Sequence, residues 1–388
     1  MKKINLFGLR CSTILSIALV SASSWISGSA YAQCAGNQSP SPTAYSGQSS
    51  STGCLAGALA PIGVINGVMD DAFNQPGSNL VASPKSDKAC LLSELLAGGK
   101  CDVVGGPWVR GMGGQMTTTT TGMAIDSLGG GVQGSTIRQR VNYSGVQAGA
   151  DSGLLNLEGI GVNAHVGVMG GHVSADAKIV DSASSDHFEV PFVGAYYVIT
   201  KGSFMTDFTY RHSWYDMKLN EGFLGISNTP LNGQSDNVNA SVSYKFALPD
   251  RYFIEPTANI SYTRSTFDGL SVGYGTAALD FAPVTSLLGR AGLRFGTSFS
   301  YGGYNWSPYV LGLVENEFEK SSKATLAYNW GDYALSADRV GTFYQTSLGI
   351  AFQSQTSGLV GFARGDWQTG HKINGGGAVG GLRYSFGP

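Results

Sequence analysis

From about Gly106 to the C-terminus the sequence repeats with a period of two: apolar residues at alternate positions, small or polar residues between them. Val162, Ala164, Val166 and Val168 alternate with Asn163, His165, Gly167 and Met169. Ile254, Pro256, Ala258, Ile260 and Tyr262 alternate with Glu255, Thr257, Asn259, Ser261 and Thr263. The same pattern runs through Leu287–Gly296, Tyr344–Gln353 and Ala378–Phe386. A period of two places one residue class on each face of a β-strand. Twelve such segments are predicted, centred near residues 110, 144, 165, 195, 209, 242, 258, 292, 309, 348, 363 and 381, and separated by Gly, Asn, Asp and Ser clusters.

A soluble sandwich also alternates, but its outer face is usually rich in Lys and Glu. Here only 13% of residues are charged, and the polar face is mostly Asn, Gln, Ser, Thr and Gly. Average chains carry about 25% charge. Glycine, at 56 of 388 residues, is about double its average usage of ~7%. Apart from the N-terminus, the least polar stretch is Leu55–Met69, which is short and is broken by Gly57, Pro61, Gly63 and Gly67. It cannot serve as a spanning helix, which needs about 20 apolar residues. In lipid the remaining solution is a closed β-barrel, because only helices and closed barrels satisfy every backbone polar group there. The fold expected is all-β: a transmembrane antiparallel barrel of about twelve strands over residues 105–388. Its long connectors Met116–Ser135, Phe267–Phe281 and Lys320–Asp338 should lie on the outer side. Short turns such as Thr200–Ser203 and Pro249–Asp250 should face the periplasm.

Residues 1–32 have the three zones of a secretory signal: Lys2, Lys3 and Arg10, an uncharged apolar run from Cys11 to Ile26, and Ala30-Tyr31-Ala32. Cleavage is expected before Gln33. Its removal leaves 21 Lys+Arg against 26 Asp+Glu, net −5, which offers no basic surface for nucleic acid. Four cysteines remain: Cys34, Cys54, Cys90 and Cys101. In an exported chain an even number points to disulfides, and four allow three connectivities. Cys34–Cys54 with Cys90–Cys101 closes the shortest loops, but the sequence does not choose among the three. Residues 33–85 are a Ser/Gly/Pro-rich linker or short passenger. Within residues 86–104, Ser86–Ala97 is predicted to be an amphipathic helix. Leu91, Leu92, Leu95 and Leu96 lie on one face, Ser86 is the N-cap, and Gly98-Gly99 is the stop.

Several segments, taken in order, resemble the autotransporter β-domain, the translocator of type V secretion. Trp108-Val109-Arg110-Gly111 and Tyr143–Asp151 look like its opening strands. Trp306–Val310 followed by Phe318, Gly361–Asp366 and Gly380–Phe386 look like later ones. The resemblance covers about residues 105–386. It implies an outer-membrane barrel with a helix threaded through its pore, where Ser86–Ala97 would lie. It also implies export of an N-terminal passenger to the cell surface, with lipid and the barrel assembly machinery as partners. Tyr384 and Phe386 stand where the family carries its C-terminal insertion signal, although Gly387-Pro388 follows them. The passenger would be very short, and with no Asn-Asn between Ser86 and Gly106 no cleavage inside the pore is expected. A surface adhesin acting through the loops and a small diffusion pore are the alternative functions.

No enzyme, cofactor or metal site is expected. The five histidines are scattered, and His212-Ser213, adjacent in a strand, must point to opposite faces. Gly375-x-Gly377-x-x-Gly380 and Gly129-x-Gly131-x-x-Gly134 match a dinucleotide pattern only by letter, as neither lies between a strand and a helix. Lys245, Glu255, Arg290, Arg294 and Arg383 are expected in or near the lumen, because a mid-membrane Arg on the lipid face costs ~2–4 kcal/mol. Arg364 and Asp366 share a parity as well.

Overall fold

The computed structural model describes residues 86, 88–91, 93, 101–126, 132–180, 184–221, 226–272, 277–328 and 331–387. Twelve long strands form its barrel: β1 Val103–Asp126, β2 Val132–Leu157, β3 Val162–Ile179, β4 Ser185–Lys201, β5 Phe204–Glu221, β6 Ile226–Tyr244, β7 Tyr252–Phe267, β8 Val284–Thr297, β9 Tyr304–Glu317, β10 Thr342–Ser354, β11 Leu359–Gly370 and β12 Ile373–Tyr384. Each segment singled out by alternation falls inside one of them, except that Ala378–Phe386 runs two residues past the end of β12. Every strand pairs antiparallel with its sequence neighbours. β1 and β12 close the ring in register from Trp108↔Arg383 to Thr118↔Ile373. Beyond that register Gly105 and Phe386 exchange backbone hydrogen bonds of 3.0 and 2.8 Å, extending the seam to the last aromatic. No edge strand is left among these twelve, which is what hydrocarbon requires.

One end of the ring carries tight turns. Gly202-Ser203 joins β4 to β5, and Gly202 takes φ +59°, a left-handed value that glycine adopts at no steric cost. The opposite end carries the long connections, and here the structure corrects the expected loops. Met116–Ser135 is mostly strand: β1 continues to Asp126 and β2 starts at Val132. Thr117–Thr121 is polar enough to pass for a loop, yet Thr is β-branched and favours strands. The other two long connectors fold as well. Ser321–Tyr328 pairs with Gly331–Asp338, and also with Ala277–Phe281, which pairs in turn with Leu270–Val272. Gly331–Asp338 docks on the top of β1, from Gly122↔Ala337 to Asp126↔Tyr333.

β1 to β6 have 17–26 residues and β7 to β12 only 12–16. A membrane crossing takes about 9–11. The tall half therefore stands well outside the membrane, and the hairpins build up the wall over the short half. On the membrane storey the apolar residues face outward: Val166 and Val168 are 62% and 66% exposed and Leu348 is 70% exposed. Aromatics mark both limits of this band. Phe204, Tyr244, Tyr252 and Tyr384 lie at the tight-turn rim, and Tyr210, Tyr262, Tyr344 and Trp367 at the other. This inverts the soluble arrangement and matches a lipid-facing wall.

Most of the predicted helix Ser86–Ala97 lies outside the described residues. Its described beginning, residues 86 and 88–91, is not helical, whereas Ser93, the one later residue of it that is described, is helical. Ser86 Oγ does not cap a helix: it donates to Asp102 Oδ2 at 2.6 Å. Cys90 instead bridges to Leu157 and is disulfide-bonded to Cys101. Cys34 and Cys54 lie outside the described residues, as does residues 1–32 with its expected signal.

Candidate functional site

Within the membrane storey the side chains alternating with the lipid-facing ones point into the barrel, and they are polar. On β7 these are Glu255, Thr257, Asn259, Ser261 and Thr263, all buried. Charges in such a setting have to be paired and hydrogen-bonded, since an isolated one costs many kcal/mol. The lumen meets this with two networks. The first spans the seam. Arg383 on β12 makes a two-pronged contact with Asp151 on β2, its Nη2 donating to Oδ1 at 2.7 Å and its Nη1 to Oδ2. Tyr196 on β4 donates its hydroxyl to Asp151 Oδ2 at 2.6 Å, and Trp108 on β1 donates Nε1–H to Tyr196 Oη at 2.7 Å. His165 on β3 lies 3.7 Å from Asp151. Five strands around the closure are thus tied into one network centred on Asp151.

The second network faces it. Arg290 on β8 donates Nε–H to Glu315 on β9 at 2.8 Å and Nη1–H to Asn259 on β7 at 2.9 Å. Asn259 donates to Asn239 on β6 at 2.6 Å. On β11 Arg364 and Asp366 are paired at 2.7 Å, and Gln345 on β10 donates to Asp366 at 3.2 Å. Arg294 and Glu255 pair at 3.4 Å closer to the tight-turn mouth. Lys245 lies beyond the end of β6, where its Nζ is 4.1 Å from the centre of the Phe253 ring; it stands at that mouth. Burial lowers its ammonium pKa, partly countered by the nearby Glu255. The structure thus brings Arg290, Arg294, Glu255 and Arg383 into the lumen in pairs. The partners Asp151, Glu315 and Tyr196 were not singled out in the sequence. Their inward parity was readable, but their partners come from distant strands.

Halfway up, the polarity reverses. On β3 the inward residues change from His165 and Gly167 to Val173, Ala175, Ala177 and Ile179, while Asp176 and Lys178 take the outward face. On β5 inward Asp207, Thr209, Arg211 and Ser213 give way to Tyr215, Met217 and Leu219. β4 adds Phe188, Val190 and Phe192, and the hairpins add Leu270, Leu279, Leu326 and Leu335 to the same cluster. The uniform facing expected from the alternation therefore holds only in the lower storey. The upper storey is arranged as in water, polar outside and apolar inside, so its mouth is packed with side chains.

Outward on this upper storey, His187 stands between Asp176 at 2.8 Å and Glu189 at 2.9 Å, and Glu189 also meets His172 at 2.7 Å. The hydrogen bond to Asp176 chiefly raises the His187 pKa, with Glu189 adding to it and partial burial opposing it. His212 lies outward beside Asp236 at 2.9 Å and Ser213 is buried inward, so the two share no face. Among the described residues no group of acids, histidines and cysteines has metal-binding geometry.

At the tight-turn mouth Cys90 is buried. It donates its amide to Asn156 O at 2.9 Å and accepts from Glu158 N at 3.0 Å. Trp108, Met169, Tyr196 and Val198 form a buried cluster on the inner wall. Of the lettered pattern, Gly375 serves packing at the far end of the seam, where a Cβ would come within 2.4 Å of Gln115 O on β1.

The sequence profile described as the Autotransporter beta-domain matches residues 108–384. Among solved structures, the β-domain of the Bordetella autotransporter Brka shares 21% identity at a TM-score of 0.53, covering 72% of this chain and 98% of that one. The transport unit of the autotransporter AIDA-I from Escherichia coli shares 17% identity at 0.55, covering 72% and 90%. At these identities the likeness concerns the fold. A comparison with curated protein sequences returns no match.

Proposed function

The chain belongs to the autotransporter β-domain family, and on that premise we propose that this outer-membrane barrel carries its own short N-terminal segment to the cell surface. In this reading residues 1–32 direct export and are removed, so that the mature chain starts at Gln33. The assembly machinery then recognises the last strand through Tyr384 and Phe386. Support for that recognition comes from Phe386, whose backbone completes the seam with Gly105.

The observation that carries the proposal is where the N-terminal segment joins the barrel. Cys90 is fixed to the turn after β2 and tied to Cys101, two residues ahead of β1. The segment ahead of β1 is thereby anchored at the rim of the tight-turn mouth. We infer that residues 92–97 form a short helix in the pore, with Leu92, Leu95 and Leu96 against the inner patch of Met169, Val198 and Trp108. An apolar helix face needs such a partner inside a polar lumen. The reading assigns the chain no chemical step of its own; the lumen carboxylates Asp151 and Glu315 are each held by an arginine. The apolar packing of the upper storey argues against an open diffusion pore.

The test is an epitope tag inserted after Ser50. In intact cells the tag should be reached by antibody and by added protease. A tag reached only after the outer membrane is broken would refute export. The folded upper storey, polar on the outside, also suits a surface-binding role. In that case deleting residues 321–338 would abolish adhesion while the tag stayed exposed.

A further inference from the structure

The lipid-facing wall is not uniformly bulky. Across β10, β11, β12 and β1 it sinks into a groove of about 910 Å³, with Leu348 and Ile350 as one bank and Gly111, Gly365, Ala378 and Gly380 on its floor. That volume lies within the ~300–1,000 Å³ of ordinary small-molecule sites. The protein's own packing does not demand these glycines. A Cβ built on Gly111, Gly365 or Gly380 would meet nothing nearer than 3.7, 3.9 and 3.4 Å, and none of them has a positive φ. At Gly292, by contrast, a Cβ would come within 1.9 Å of a carbonyl oxygen. The space in the groove is therefore free for an occupant from outside the protein.

Above the groove, along β1, β2, β11 and β12, lies a polar pocket of about 470 Å³, lined among others by Gln115, Arg138, Trp367 and Asn374. Asp366 also borders it, but its carboxylate lies on the lumen side, paired with Arg364 at 2.7 Å. The charge the pocket presents is therefore that of Arg138, with Arg140 two residues further on the same outward face. Trp367 is among the aromatics at the upper limit of the apolar band, where headgroups lie. An apolar slot with a cationic polar pocket at the interface has the form of an amphiphile.

We propose that this groove holds one membrane lipid with a net anionic phosphorylated headgroup. Its acyl chain lies along Gly111, Gly365 and Gly380, and its phosphate accepts hydrogen bonds from Arg138. Guanidinium suits this role, because its fork matches phosphate oxygens in a two-pronged contact. The proposal rests on the membrane-barrel reading, and heat-dependent mobility in SDS reports that reading separately.

The test uses the full mature chain, purified from its own membrane in mild detergent. Native mass spectrometry should show one retained anionic lipid. After delipidation, phosphatidylglycerol should bind about tenfold or more tighter than phosphatidylcholine with the same acyl chains. Gly365→Leu should fill the groove and weaken phosphatidylglycerol binding about tenfold. Arg138→Ala should remove most of the preference between the two lipids. Val238→Leu, on the lipid-facing side of β6 and away from the groove, should change neither. All variants should keep the heat shift; if Gly365→Leu loses it, Gly111→Val fills the same floor. Equal binding of the two lipids by the unmodified chain, or unchanged binding by a folded groove-filling variant, would overturn the proposal.

Discussion

Val166 lies in the middle of the outward face of β3, between Val162 and Gly170, and is 62% exposed. In water such a position tolerates almost anything, as surface substitutions usually stay within ±0.5 kcal/mol. In hydrocarbon an Arg at mid-depth costs ~2–4 kcal/mol. That corresponds to about 30- to 700-fold in the unfolding constant, since ~1.4 kcal/mol is tenfold. Ser174 supplies the internal control. It has the same strand and the same facing, eight residues on, in the storey where Asp176 and Lys178 already take the outward face. The barrel is refolded into lipid vesicles and unfolded with guanidinium, followed by tryptophan emission. Val166→Arg should lose ~2–4 kcal/mol and Ser174→Arg less than ~0.5 kcal/mol. If both variants stay within that smaller margin, the outward band is not in lipid and the inverted facing has been misread.

Asp151→Ala leaves the buried Arg383 guanidinium without its carboxylate and should cost ~3–5 kcal/mol, read as a lower temperature for the mobility change in SDS; the double variant Asp151→Leu/Arg383→Met should recover much of it. Phe188→Ala, at a fully buried site of the upper cluster, should cost ~3–5 kcal/mol and open the upper storey to protease while the membrane storey stays intact. His187 has a folded pKa raised above 6.5, so its stabilising contribution is complete below about pH 6.5 and fades as pH rises through the folded value. NMR titration should show this, with Asp176→Asn bringing the midpoint back down.

The twelve strands were legible because alternation is a local property, and so was the inward parity of Arg290 and Arg383. The turn of polarity was legible too, though only as a change of phase. Apolar residues occupy even positions from Val162 to Val168 and odd ones from Val173 to Ile179. A uniform texture hides that slip unless the phase is followed along each strand. The Asp151–Arg383 contact joins residues 232 apart in sequence, so it depends on strand registers, which alternation does not fix. The hairpin 321–338 was read as a loop because its role comes from docking on β1 and on Ala277–Phe281, partners that the local sequence does not name.

The central claim is a closed barrel whose seam runs from Gly105–Phe386 to Thr118–Ile373 with its apolar face in lipid. Electrophoresis in SDS of the full chain taken from its membrane, with and without boiling, tests it most directly. The unboiled chain should keep its ring and migrate faster than the boiled one. Identical mobility under both conditions would contradict the account.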